Sequence, residues 1–327
     1  MKGVTESMKK ALFIVVIMAL LVGASACSQK KYGNNGAFLI RMAEEKTYGE
    51  EKDFISFRGF EEPNGIAFVE DQIVVADTKK NCLFVFDSNG HYVKKIGETG
   101  KGPLQFFGPT GLYYEGQLLY IVDARNNRVQ VLNNKFEYVL SYDLNPIDSE
   151  KSFKDIVVLP EGSIYVSSEY AAGYAAYVFR IDPRTKRQFQ IGNNLIGSLA
   201  IKSDNKVLFV NSLEIERKSG SVTASSGNNY LYEIIDDRAV QVAGLPYKYT
   251  PQGILTHGNN IYMISFGFDT IDRFTLSGEY IETVYRFPKI DSVREYNCLA
   301  YNPSKDYFLV SIPTFSEVRY LKPQNVQ

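Results

Sequence analysis

From about residue 54 onward, apolar residues gather in short runs rich in Val, Ile, Tyr and Phe, and most runs end at Gly, Asn, Asp, Glu or Ser. Such runs are too short for helices and carry the β-branched and aromatic content of strands. Two stretches show their order best. Pro63-Asn64-Gly65-Ile66-Ala67 is followed by Ile73-Val74-Val75-Ala76-Asp77, then Leu83-Phe84-Val85-Phe86, then Tyr92 to Ile96. Pro109-Thr110-Gly111-Leu112 is followed by Leu119-Tyr120-Ile121-Val122-Asp123, then Arg128 to Leu132, then Tyr138 to Tyr142. Glu70-Asp71, Ser88-Asn89-Gly90, Glu115-Gly116 and Asn133-Asn134 supply the turns between them. Four short strands joined by tight turns, and then repeated, predict propeller blades.

The rest of the chain keeps this register more loosely. One apolar anchor in the first strand of each unit is Ile66, Leu112, Ile156, Leu199, Ile254 and Leu299. These recur about every 45 residues, with one longer step explained by an insertion from Leu213 to Asn229. The fold expected is all-β, a six-bladed propeller over 37–327 with blades starting near 63, 109, 153, 196, 251 and 296. The last unit has only three strand runs, while Phe54-Ile55-Ser56-Phe57-Arg58 has no blade of its own. That N-terminal strand is expected to complete the last blade and close the ring, which removes open sheet edges.

Ahead of the repeat, Lys9-Lys10 and the apolar run Ala11 to Val22 lead to Gly23-Ala24-Ser25-Ala26-Cys27. A basic end, an apolar core of about a dozen residues and small residues at the exit make a secretory signal over 1–26. A membrane span needs about 20 apolar residues, so this run is too short for one. Cysteine after small residues resembles the lipobox of bacterial lipoproteins, although Ala24 stands where Leu is usual. The resemblance implies lipidation at Cys27, with simple cleaved secretion as the alternative. Residues 28–36 are polar and rich in Gly and Asn, and with Cys27 they read as a flexible tether. Ser28 rather than Asp after Cys27 favours the outer membrane over the inner.

The chain has 327 residues with a formal charge of −1, so no global field draws it to nucleic acid. A monomer is expected. Cys82 and Cys298 fall in strand runs and read as buried free thiols rather than a disulfide. Blades 1 and 2, joined by Gly97-Glu98-Thr99-Gly100-Lys101-Gly102-Pro103-Leu104-Gln105-Phe106, resemble NHL repeats. The whole is similar to the six-bladed propeller lipoproteins of Bacteroides-like bacteria.

Candidate chemistry is sparse. The second strands end in Asp77, Asp123, Ser167, Asn211, Ser265 and Ser311, a small polar ring that either caps turns or faces a ligand. The loops after the second strands of blades 3 to 5 carry Tyr170, Tyr174, Phe266 and Phe268, flat aromatics suited to a sugar or peptide. The only histidines, His91 and His257, fall in turns of the opposite face, which leaves no multi-histidine zinc site. The lactonase group of six-bladed propellers uses calcium held by carboxylates and Asn, which makes Glu62, Asp77 and Asp123 weak metal candidates and Ca²⁺ the one cofactor to consider. The expectation is a lipid-anchored propeller of the cell envelope that binds a glycan, peptide or protein partner on the face of the blade 3–5 loops. The rival is a calcium-dependent lactonase or lyase at the channel mouth.

Overall fold

The computed structural model describes residues 53–55, 59–144, 152–169, 177–192, 195–218, 221–225, 227–287 and 298–321. The signal segment, Cys27 and the tether lie outside them, as do Tyr170 and Tyr174.

Six antiparallel sheets form the blades, and a short parallel pair, Glu98–Thr99 with Gln105–Phe106, lies in the link between blades 1 and 2. Each blade has an inner strand followed by a second, a third and an outer strand. The inner strands are Pro63–Val69, Pro109–Glu115, Ser152–Val158, Ile196–Ile201, Pro251–His257 and Cys298–Asn302. Each packs beside the inner strand of the next blade, and that of blade 6 packs beside that of blade 1, so the ring is closed. In blade 6 the fourth strand is Asp53–Ile55, which pairs antiparallel with Glu317–Leu321.

Burial follows from this layering. A second strand has a neighbour on each edge and a blade on each face, so Ile73 to Asp77 and Tyr307–Ile312 are buried throughout. An outer strand has one free edge and a solvated face. Tyr92–Ile96 is accordingly exposed except at Ile96, and Lys94 and Lys95 on it discourage pairing with another edge. Apolar clusters fill the spaces between neighbouring blades, as where Val74, Ala76 and Val85 of blade 1 meet Leu112, Leu119 and Ile121 of blade 2.

The six anchors occupy equivalent places. Ile66 stands opposite Val75, Leu112 opposite Ile121, Ile156 opposite Val166, Leu199 opposite Phe209, Ile254 opposite Met263 and Leu299 opposite Val310. All six are buried. Cys82 and Cys298 are free thiols in different blades. Burial pushes them up to about 11 and about 12, so neither is a ready thiolate.

Blade 4 departs from the pattern. Its second strand, Val207–Lys218, has 12 residues, against six in blades 1 and 2. The extra length pairs with Ser221–Ser225, from Glu214 opposite Ser225 to Lys218 opposite Ser221. The insertion seen in the sequence is therefore a β-ribbon that leaves the blade on the side of the second-to-third-strand loops.

Candidate functional site: the central channel and its loop face

In five of the six blades the ladder between inner and second strand shifts register just before the anchor. In blades 1, 2 and 3 two residues oppose one: Asn64-Gly65, Thr110-Gly111 and Lys154-Asp155. Blade 5 has one extra residue there, Gln252, and in blade 4 the extra residue is Ser212 of the second strand. Blade 6 pairs without a shift. A bulge re-aims the side chains it carries. With or without it, the residue before each anchor faces the inner strand of the next blade.

That position holds Gly65, Gly111, Asp155, Ser198, Gly253 and Cys298. A Cβ on Gly65 would stand 2.8 Å from the Leu112 amide nitrogen, and one on Gly111 would be 3.1 Å from that of Ile156. The backbones approach too closely there for a side chain. At Gly253 a Cβ would likewise stand 3.2 Å from the Leu299 amide nitrogen, and in blades 3, 4 and 6 side chains reach the next inner strand. The Asp155 carboxylate accepts from the Leu199 amide at 2.9 Å and from the Ile156 amide at 2.8 Å. The Ser198 hydroxyl donates to the Gln252 carbonyl at 3.0 Å. The Cys298 sulfur lies 4.0 Å from the Ile66 carbonyl, completing the circuit.

Inside this ring is a cavity of about 200 Å³. All six anchors line it, with Asp155, Ser198, Thr256 and Cys298 among the polar residues. Burial pushes the Asp155 carboxyl above its ordinary range, opposed by its two amide donors and by the Lys154 charge. Burial and then the Asp155 charge raise the Cys298 thiol, although Asp155 and Cys298 belong to opposite blades. Lys154 is only 8% exposed.

The residues singled out from the sequence sit elsewhere. Asp77 accepts from the amides of Glu61 at 2.7 Å, Glu62 at 3.1 Å and Lys80 at 3.0 Å. Asp123 accepts from the Phe107 amide at 2.7 Å and, through its other oxygen, from Asn126 and Arg128, both at 2.8 Å. Asn211 accepts from the Tyr230 amide and donates to the Leu213 carbonyl at 3.2 Å. The Glu62 carboxylate lies 3.8 Å from the Lys79 ammonium. Glu62, Asp77 and Asp123 thus do not converge on one point. Among the described residues no group of three or more His, Cys, Asp or Glu side chains is placed to hold a metal, and these three do not form a calcium site. The reason is local: Asp77 holds amides of its own turn and link, Asp123 holds an amide, Asn126 and Arg128, and Glu62 faces Lys79.

The aromatics divide. Phe268 folds onto Tyr249, their ring centroids 6.0 Å apart, and packs against a buried cluster. Phe266 stays 36% exposed. Two exposed aromatics that the repeat register did not bring out join it on the loop face: Phe107 at 40%, with the Arg125 guanidinium 5.2 Å over its ring, and Tyr247 at 47%. His91 pairs with Asp87 at 3.1 Å and His257 lies against Tyr301, so neither meets Asp155.

Asp155 carries no local mark of its place in the channel, since it lies between the strand start and the anchor. The residue before each anchor reads Gly, Gly, Asp, Ser, Gly, Cys. Two small residues in blades 1 and 2 and a charged pair in blade 3 were the signal available.

Solved structures share this architecture. The Xanthomonas campestris gluconolactonase is 13% identical over 83% of this chain and 88% of its own, with a TM-score of 0.59. A calcium-binding regucalcin from Agrobacterium tumefaciens is 12% identical over 83% and 94%, with a TM-score of 0.58. The virginiamycin B lyase of Staphylococcus aureus is 13% identical over 84% and 99%, with a TM-score of 0.55. At such identities the likeness is one of fold. No curated protein matches the sequence. The DUF5128 family model, described as a 6-bladed beta-propeller, matches residues 59–250, more than half of the chain. Ring, blade order and family model agree, and the chain belongs to the DUF5128 family of six-bladed β-propellers.

Proposed function

We propose that this chain is a lipid-anchored propeller of the bacterial cell envelope, attached through Cys27 to the outer membrane, that binds a glycan, peptide or protein partner on its loop face. One observation carries the binding assignment: the blade 4 ribbon, the blade 4–5 link and the blade 5 turn form one connected surface. The Lys248 amide donates to the Gly227 carbonyl at 3.0 Å, and the Thr250 amide to the Asn229 side chain at 2.8 Å, tying the link to the base of the ribbon. The Phe266 amide donates to the Thr250 carbonyl at 3.0 Å, tying the turn to the link. Tyr247 and Phe266 thus stand exposed on a braced backbone. Rigid exposed aromatics beside a sheet edge suit an extended partner.

A two-stranded ribbon is marginally stable by itself in water. Among the described residues Ser221–Ser225 pairs only with Val207–Lys218, leaving its other edge open for a partner strand. The calcium-enzyme alternative draws support from the names of the structural neighbours alone, since the loop-face carboxylates already hold backbone amides.

The test is a Tyr247→Ala/Phe266→Ala variant assayed against peptidoglycan fragments, outer-membrane glycan and envelope-derived peptides. Binding by the wild type should weaken by about tenfold or more in the variant, with unchanged circular dichroism. Equal affinities in the two proteins would remove the loop-face assignment. For the anchor, labelled palmitate should enter the wild type and not Cys27→Ala.

A further inference from the structure

We propose that the central channel binds a small organic ammonium ion, its charged head on the Asp155 carboxylate and its short hydrocarbon body among the aliphatic anchors. The site is separate from the loop-face surface and rests on different residues.

The first observation is the charge of the wall. Among the described residues that line the cavity Asp155 is the one carboxylate, and no Lys, Arg or His lines it. Burial works against its ionised form, and the Leu199 and Ile156 amides and the Lys154 charge work for it. An ionised carboxylate offers about four lone-pair positions. The Leu199 amide occupies one on Oδ2 and the Ile156 amide one on Oδ1. One position on each oxygen remains, and Asp155 keeps part of its surface accessible. Its charge is felt across the channel. Burial, then Glu115 and Asp155, push the Tyr113 hydroxyl up to about 12, and burial, then Asp155, push the Cys298 thiol up to about 12.

The second observation is that the donors of the wall are spent. Ser198 donates to the Gln252 carbonyl at 3.0 Å, Thr256 to the Ile201 carbonyl, and the Cys298 thiol lies 4.0 Å from the Ile66 carbonyl. The two hydroxyl oxygens keep lone pairs, so a molecule entering here meets mainly acceptors. An anion would meet the Asp155 carboxylate with little to offset the repulsion. A bare metal ion is poorly served as well. Among the described residues no three His, Cys, Asp or Glu side chains gather to hold one, and the six anchors that line the cavity supply no oxygen. A primary ammonium brings three donors and a charge opposite to that of Asp155. The cavity of about 200 Å³ has room for about six to eight heavy atoms, so a short hydrocarbon body can lie against the aliphatic wall.

The experiment is calorimetric titration and thermal shift of the purified full-length protein at neutral pH with hexylamine, compared with hexanol, hexanoate and calcium chloride. Hexylamine should bind saturably and raise the melting temperature. Hexanol, the same body without the charge, should bind about tenfold more weakly or worse, hexanoate should not bind, and calcium should not displace hexylamine. Asp155→Asn keeps the side-chain shape and removes the charge, and should weaken hexylamine by about tenfold or more while leaving hexanol unchanged. Ile254→Phe, which fills the cavity and leaves Asp155 in place, should weaken both. The melting temperature of each variant without ligand reports its folding, and if Asp155→Asn does not fold, the ranking of the ligands on the wild type decides. The proposal fails if hexylamine gives no saturable signal, if hexanol or hexanoate binds as tightly, if calcium displaces hexylamine, or if folded Asp155→Asn binds hexylamine like the wild type.

Discussion

The second-strand ends and the blade 3 bulge both place carboxylates in otherwise apolar strands, and those carboxylates are held in different ways. At the second-strand ends Asp77 and Asp123 are fully buried and fully engaged, by backbone amides in one case and by amide, Asn and Arg donors in the other. In the blade 3 bulge the Asp155 carboxylate is held by the Ile156 amide beside it and by the Leu199 amide of the next blade, and burial pushes it above its ordinary range. A buried charge with a complete set of partners is explained by the fold it holds together. Residue type and strand position look alike in the two places, and a donor from the next blade's inner strand separates them.

The contrast can be broken first at Asp123. Asp123→Ala should remove the counter-charge of Arg128, whose side chain is 12% exposed and would keep only the carbonyls of Lys101, Gly102 and Gln105, and cost about 3–5 kcal/mol in denaturant unfolding. Asp77→Ala, which frees only neutral amides, should cost about 1–3 kcal/mol. If Asp123→Ala is neutral, the second-strand carboxylates are not structural and the ligand reading of that ring returns.

A further buried carboxylate sharpens the comparison through pH. Asp272 in blade 5 accepts hydroxyl donors from Tyr249 at 2.8 Å, Thr270 at 2.7 Å and Thr283 at 2.6 Å. Burial outweighs these bonds and pushes its pKa up to about 6. The folded chain then holds a proton that the unfolded chain, with an ordinary carboxyl, has released. The contribution of this group to stability is complete below about pH 4 and is lost as pH rises through about 6, up to about 3 kcal/mol in all. Asp155 acts in the same direction. Chemical denaturation of wild type and Asp272→Asn between pH 4 and 7 checks this, the variant showing the flatter profile.

The smallest effect is expected on the loop face, where Tyr247→Ala/Phe266→Ala should change stability by about 0.5 kcal/mol or less.

Much of the fold was legible before the coordinates. The second strands are apolar from end to end because a blade lies on each face, and the anchors recur because every inner strand meets the same neighbours. The capping of turns by Asp77 and Asp123 was one of two open readings, and their own local geometry decides between them. The channel residues were less visible. Asp155 and Ser198 look in sequence like ordinary polar residues of a strand, and nothing local says that they line the channel. The exposure of Phe266 and the partial burial of Phe268, two residues apart, likewise depend on where Tyr249 lies.

The sequence by itself determined the repeat, the blade count, the order of strands within a blade and the site of the blade 4 insertion. Each of these follows from local patterning, since a strand's period and its turn residues act over a few positions. Only the tertiary structure decided which polar groups meet between the blades. Hydrogen bonds such as Asp155 to Leu199 and Ser198 to Gln252 join different blades. Whether a donor waits across that gap is set by how six sheets close into one ring.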